Sequence, residues 1–431
     1  MSNHKRNCRC CYSSSPYTAK QIRSRVEKVY APEELFSRRK FLMTAGAAMT
    51  GLLAGCVGSG TENGGADDTN SNDSTNDNED DSLQTLQGTI VIGDEMEVIE
   101  GTVEIEDGYI TNIIEEGVES DDIILPAFVN PHTHITDSVA KDSERAQNYS
   151  WEELFIDPDL KSEILDNATQ EEKRDAMRRT MDFMKATGTG SFADFKEEGV
   201  QGVEDLNTVD EESDVEATTL LTGHYLSEDD DLETEISNAD GYNAYHEYSD
   251  LDHEAREICD DLDKVFALHS GEPGPDDIDD SLALNPDYTS HMVHAREKDY
   301  ETMAENDIGL ASLPRSNFVI VDKVPPLEEL HEATTVAIGT DNVMLNSASM
   351  LREMEFTSKV FDFTPTEVLQ MATINGAELI KQADEIGSIT EGKRARMTVV
   401  DTSKELKEIE DPIGGVVRRA TAQDIRETVL Y

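Results

Sequence analysis

The chain of 431 residues is poor in basic residues, in cysteine and in long apolar runs. It carries 36 lysines and arginines against 92 aspartates and glutamates, a formal net charge of −56. A surface of that sign repels phosphates, which excludes nucleic acid as a partner. The acid is spread over the whole chain, as in a surface kept soluble in concentrated salt, where screening makes self-repulsion tolerable. A halophilic, haloarchaeal source is expected. The five cysteines imply no disulfide framework. Cys8, Cys10 and Cys11 fit no common zinc spacing, and Cys259, in "HEAREICDDLDKVF", reads as a small buried apolar residue. The apolar run Phe41 to Leu53 is too short to span a bilayer comfortably.

Arg38 and Arg39 precede that run in "SRRKFLMTAGAAMTGLLAGC". The stretch resembles a twin-arginine export signal ending in a lipobox. The resemblance implies export in the folded state, lipidation of Cys56 and anchoring on the outer face of the cell membrane. Membrane contact is then through the lipid alone. The segment before the signal is expected to be removed, or the true start codon lies further along. Residues 57–84 contain almost no apolar residues and read as an acidic disordered tether.

From residue 85 the pattern changes. Residues 85–124 alternate apolar and polar residues between Gly-Asp and Asp-Gly turn signals, and residues 386–431 do the same. Between them, over 125–385, short apolar strands recur at "DIILPAFVN", "GTGSFADF", "ATTLLTGHY", "ADGYNAYH", "KVFALHS", "HMVHA", "IGLASL" and "TVAIGTD". Helical patterns such as "QEEKRDAMRRTMDFMKATG" fill several of the gaps. The repeating strand–helix rhythm predicts an α/β fold, a (β/α)8 TIM-like barrel. In such a barrel, chemistry sits at the C-terminal ends of the strands.

The chain has only ten histidines. His132 and His134 end the first strand in "PAFVNPHTH". Two residues apart on a strand, they point to one side and can converge on one cation. His269 is assigned to the end of the fifth strand, His294 to the sixth, and Asp341 adds a hard oxygen ligand at the eighth. Glu272 follows His269 in "LHSGEPG", where Gly271 permits a sharp turn. His224 and His246 fall near the third and fourth strand ends, and Arg315 and Asn317 follow the seventh. These four are candidate substrate contacts. His4, His253, His291 and His331 read as surface or structural.

"PAFVNPHTH", "HSGE", "LPRSN", "GTDN" and "MATINGAELI…IGSITEGKRARMTVVD" together resemble the amidohydrolase superfamily, near its cytosine-deaminase, adenosine-deaminase and chlorohydrolase-like branches. The resemblance covers about residues 86 to 431. It implies a barrel flanked by a small β-sandwich built from both chain ends. It implies His132, His134, His269 and Asp341 as metal ligands, Glu272 as proton shuttle, and His294 as the group that meets substrate or oxyanion. The bridging lysine of binuclear members is missing from "ADGYNAYHEYSD", so one divalent metal per chain is expected. Zinc suits the site best, with iron(II) and manganese as alternatives.

The function expected is metal-dependent hydrolysis of a non-peptide carbon–nitrogen bond in a small molecule, foremost deamination of an amino-heterocycle. Ring opening of a cyclic amide or imidazolone stands beside it. A lipid-anchored ligand-binding protein without catalysis is the rival from another class. Monomer and homo-oligomer are both left open.

Overall fold

The structure is a computed structural model that describes residues 83–143, 150–156, 159–227, 230–245 and 248–431. The expected export signal, Cys56, nearly all of the tether and His246 lie outside the described residues. Two sheets organise the rest. The first has six strands, in the order β15-β14-β4-β1-β2-β3, and draws on both chain ends: β1 (Gln84–Ile92), β2 (Glu97–Glu106), β3 (Tyr109–Glu115), β4 (Ile123–Pro126), β14 (Arg396–Val400) and β15 (Ile425–Leu430). Of the sandwich expected from the end segments, the described residues form this one hydrogen-bonded sheet. Its buried face carries Ile90, Val103, Ile105, Ile110, Ile124, Met397 and Val429, the apolar half of the alternating pattern.

The second sheet is wholly parallel: β5 (Phe128–His134), β6 (Thr189–Lys196), β7 (Glu216–Thr222), β8 (Gly241–Ala244), β9 (Val265–Ser270), β10 (Tyr288–His291), β11 (Gly309–Ser312), β12 (Val336–Ile338) and β13 (Asp341–Asn342). β12 pairs with β11, and β13 pairs with β5. Only Gly339 and Thr340 separate β12 from β13, so they act as one eighth strand that curls the sheet onto itself as a TIM-like barrel. Asn130 secures the seam by bonding the Thr340 backbone N–H (3.1 Å) and hydroxyl (2.8 Å).

Two strand assignments shift. "DIILPAFVN" divides at Ala127: β4 joins the six-stranded sheet, and β5 enters the barrel. The sixth barrel strand ends at His291, three residues before His294. Polar Thr289 and Ser290 lie inside it, while the apolar Met292 and Val293 that suggested a strand belong to the turn beyond.

Helices cover the outside. Gln170–Ala186 starts at Thr169, whose hydroxyl accepts from the Glu172 N–H in a capping box, and it buries Ala176, Met177, Thr180, Met181 and Met184 on one stripe. The interior of the barrel is filled by Val129, Phe195, Leu220, Ala267, Tyr288, Ala311 and Ala337 from β5 to β7 and β9 to β12, closed by Ala377 and Leu379 of the helix Ile374–Leu379. Cys259 is buried and free. Among the described residues, no helix is long and apolar enough to cross a membrane.

Candidate active site

The strand ends place His132, His134, His269 and Asp341 together, all buried. His132 Nε2 lies 3.3 Å from Asp341 Oδ1, His134 Nε2 lies 3.5 Å from the same oxygen, and His134 Nε2 lies 3.3 Å from His269 Nε2. A tetrahedral ion with bonds of about 2.0–2.1 Å sets its ligands about 3.3 Å apart, so the spacing suits one zinc-sized cation. The outward nitrogens are engaged elsewhere: His132 Nδ1 with Ser290 Oγ (2.8 Å) and His269 Nδ1 with Asn243 Oδ1 (3.3 Å), while His134 Nδ1 lies 2.7 Å from Glu197 Oε1. Such outer partners fix a ring so that one nitrogen faces inward. The buried His132 Nε2 has no hydrogen-bond partner, which also fits a cation.

The electrostatics point the same way. Burial pushes the His132 pKa down to about 3, keeping the ring neutral as a ligand must be. Burial alone would raise Asp341, but His132, His291 and His134 outweigh it and hold the carboxyl far below its usual range. Asp341 Oδ2 accepts from the Ser316 hydroxyl.

Glu272 is buried beside this cluster. Its Oε2 accepts from Trp151 Nε1 at 2.6 Å, and its pKa is raised by burial, with His291 opposing. Gly271 turns the chain between His269 and Glu272 at φ +64, where a Cβ would meet Ile278 and Met292.

His291, not His294, completes the cluster. His291 is 1% exposed, its Nδ1 accepts from Asn317 Nδ2 (2.8 Å) and lies 3.6 Å from Glu272 Oε1, and its Nε2 has no partner. His294 lies past the turn, where its Nδ1 and backbone N–H face the Gly271 carbonyl at 3.2 and 3.0 Å. The early end of β10 accounts for the exchange. Arg315 is also drawn away from the cleft: it bonds Glu353 and the Ser347 carbonyl. Asn317 acts through His291, and His224 lines the cleft.

The cleft encloses about 640 Å³, part of it open to solvent. The residues singled out in the sequence supply His134, His224, His269, Glu272 and Asp341 to its lining; Phe155, Lys161, Glu197, Tyr225, Tyr245 and His291 line it too. Lys161, from the helix Leu160–Asn167, joins Glu197 and lies 3.2 Å from Asp137 Oδ2. Burial pushes Asp137 up to about 7, whereas Lys161 and His134 overcome burial and hold Glu197 well below its usual range. Glu197 follows Lys196, the last residue of β6. Lys196 itself turns away to Thr136 and Asp194.

The amidohydrolase family profile matches residues 123–276 and 276–425. An uncharacterized protein of Methanocaldococcus jannaschii is 28% identical over 369 residues, 79% of this chain and 96% of that one. A 5-methylthioadenosine/S-adenosylhomocysteine deaminase of Thermococcus sibiricus is 26% identical over 408 residues, 81% of this chain and 92% of that protein. The zinc-bound adenosine deaminase structure from Xanthomonas campestris superposes with a TM-score of 0.71 at 18% identity, covering 80% of this chain and 91% of that one.

Proposed function

We propose that the chain, which belongs to the amidohydrolase family and hydrolyses carbon–nitrogen bonds other than peptide bonds, removes the amino group of a heterocycle with water. The observation that carries this reading is the convergence of three histidine Nε2 atoms and Asp341 beside a buried Glu272. His132, His134, His269 and Asp341 would hold one zinc ion. Zinc in such a set supplies reactivity by lowering the pKa of water from about 16 to about 7.

The chain's own groups do the rest. Asp341, ionised and steadied by Ser316, orients the water and takes its proton. Glu272, whose pKa burial raises, gives a proton to the departing nitrogen. Asn317 donates to His291 Nδ1, which leaves a ring hydrogen on Nε2, the atom without a partner. That N–H is suited to the oxygen of the attacking water as it bonds to the carbon that becomes tetrahedral. The balance is one amine and one water consumed, one carbonyl and one ammonia formed.

Export by the twin-arginine route and anchoring through Cys56 remain part of the proposal, supported by the sequence alone. The test is ammonia release from a panel of amino-purines, amino-pyrimidines and amino-triazines at high salt. Activity lost on chelation and restored by zinc is expected. Consumption of a cyclic amide without ammonia would replace deamination by ring opening, and no turnover across the panel would contradict the reading.

A further inference from the structure

The helix Leu160–Asn167 lies in the connection between β5 and β6, and one of its side chains reaches the metal-binding wall. Lys161 is buried, and two buried carboxylates share its ammonium: it joins Glu197 Oε1 and lies 3.2 Å from Asp137 Oδ2. Each carboxylate leads back toward a candidate ligand. Glu197 Oε1 lies 2.7 Å from His134 Nδ1, behind the Nε2 that faces His269 and Asp341. Asp137 Oδ2 accepts from Asn342 Nδ2 at 2.7 Å, and Asn342 follows Asp341 in β13.

The reaction as described gives Lys161 no task. A buried cluster of this kind adds little net stability, because desolvation offsets most of the attraction. What it supplies is position. Lys161 keeps Glu197 on the His134 side, and without the cation Glu197 and Asp137 would repel each other. Lys161 Nζ also lies 5.8 Å from the centre of the Phe155 ring, in the helix Trp151–Phe155 whose Trp151 bonds Glu272.

We propose that Lys161 is a positioning residue for the metal: it holds Glu197 against His134 Nδ1, which fixes the ring that offers Nε2 to zinc. It thereby ties a cleft-lining helix to the metal-binding wall. The inference rests on the zinc site of the reading above and not on the choice of substrate.

Zinc affinity tests this without turnover. The full chain is measured at high salt and fixed pH by competition with a chelator of known affinity. Lys161→Met alone strands two buried carboxylates, so it is paired with Asp137→Asn, which removes one charge of each sign and leaves an oxygen for Asn342. Zinc should bind this paired variant about 10–100-fold more weakly than the wild type, and Glu197→Gln likewise. Asp137→Asn alone leaves Lys161 on Glu197 and should stay within about twofold of wild type. Adding Lys161→Met to Glu197→Gln should cost no more than about twofold further, because Lys161 acts through Glu197.

Unchanged zinc affinity in the paired variant would overturn the proposal. So would losses that add in full when Lys161→Met and Glu197→Gln are combined, the mark of a general loss of packing. A full loss in Asp137→Asn alone would also overturn it, as would a paired variant that circular dichroism shows to be unfolded, which would assign Lys161 to the fold. No zinc in the wild type would remove the zinc reading itself, whereas any of the other contrary results with zinc bound to the wild type removes only the role of Lys161.

Discussion

The cleft has two kinds of wall. One is built at the ends of β5, β9, β10 and β13, where histidines and Asp341 converge with nitrogen and oxygen atoms 3.3–3.5 Å apart. The other comes from the helix Leu160–Asn167 and the ends of β6 to β8, with Lys161, Glu197, His224 and Tyr245. In the first wall, each ligand ring has a polar partner behind it, as bound metal requires. In the second, a cation is compensated by two carboxylates, and one carboxylate oxygen is left over. The first arrangement suits reaction at a fixed point.

The largest effect should come from Glu272→Gln, which removes the acid while leaving the metal-binding atoms in place. Turnover should fall about 10²–10⁴-fold with zinc retained. Burial raises the Glu272 pKa, so the protonated form survives to higher pH than in a free glutamate. The wild-type rate should fall as pH rises through that raised value, and a pH–rate profile of the variant should lack this limb. A variant with full activity would remove Glu272 from the reaction.

Exchanging His291 and His294 as targets tests which belongs to the first wall. His291→Ala should lower turnover about 10²–10³-fold through loss of an oxyanion donor. His294→Ala, which loses a contact to the Gly271 carbonyl, should cost less than about tenfold. Steady-state kinetics of the two variants decide between them, and the reverse order would restore the assignment made from sequence.

Arg315→Ala probes a residue expected from sequence to meet substrate. Its loss leaves Glu353 buried without its cation, a destabilisation of about 3–5 kcal/mol in denaturant melts. KM should stay within about twofold of wild type where the protein is folded. A large rise in KM at unchanged stability would bring Arg315 back to the cleft.

What was legible followed from local chemistry. His132, His134, His269, Glu272 and Asp341 stand in short motifs at strand ends, and period-2 alternation at the chain ends marked the strands of the six-stranded sheet. His291 was missed because β10 carries the buried polar residues Thr289 and Ser290, and the apolar signal falls in the turn beyond it. The polar stretch "TSH" directly after Tyr288 was the available clue. Glu197 and Lys161 were missed because they are 36 residues apart, and only the folded chain brings that pair together. Arg315 was assigned to substrate because nothing in "LPRSN" reveals Glu353, which approaches from a later helix, Met350–Val360.

The most direct test of the central claim is zinc content, measured by mass spectrometry on the full chain after dialysis at high salt, for the wild type and for Asp341→Ala. The account predicts about one zinc per wild-type chain and less than about a tenth of that in the variant, with its fold retained by circular dichroism. Equal zinc in both proteins, or none in a well-folded wild type, would contradict it.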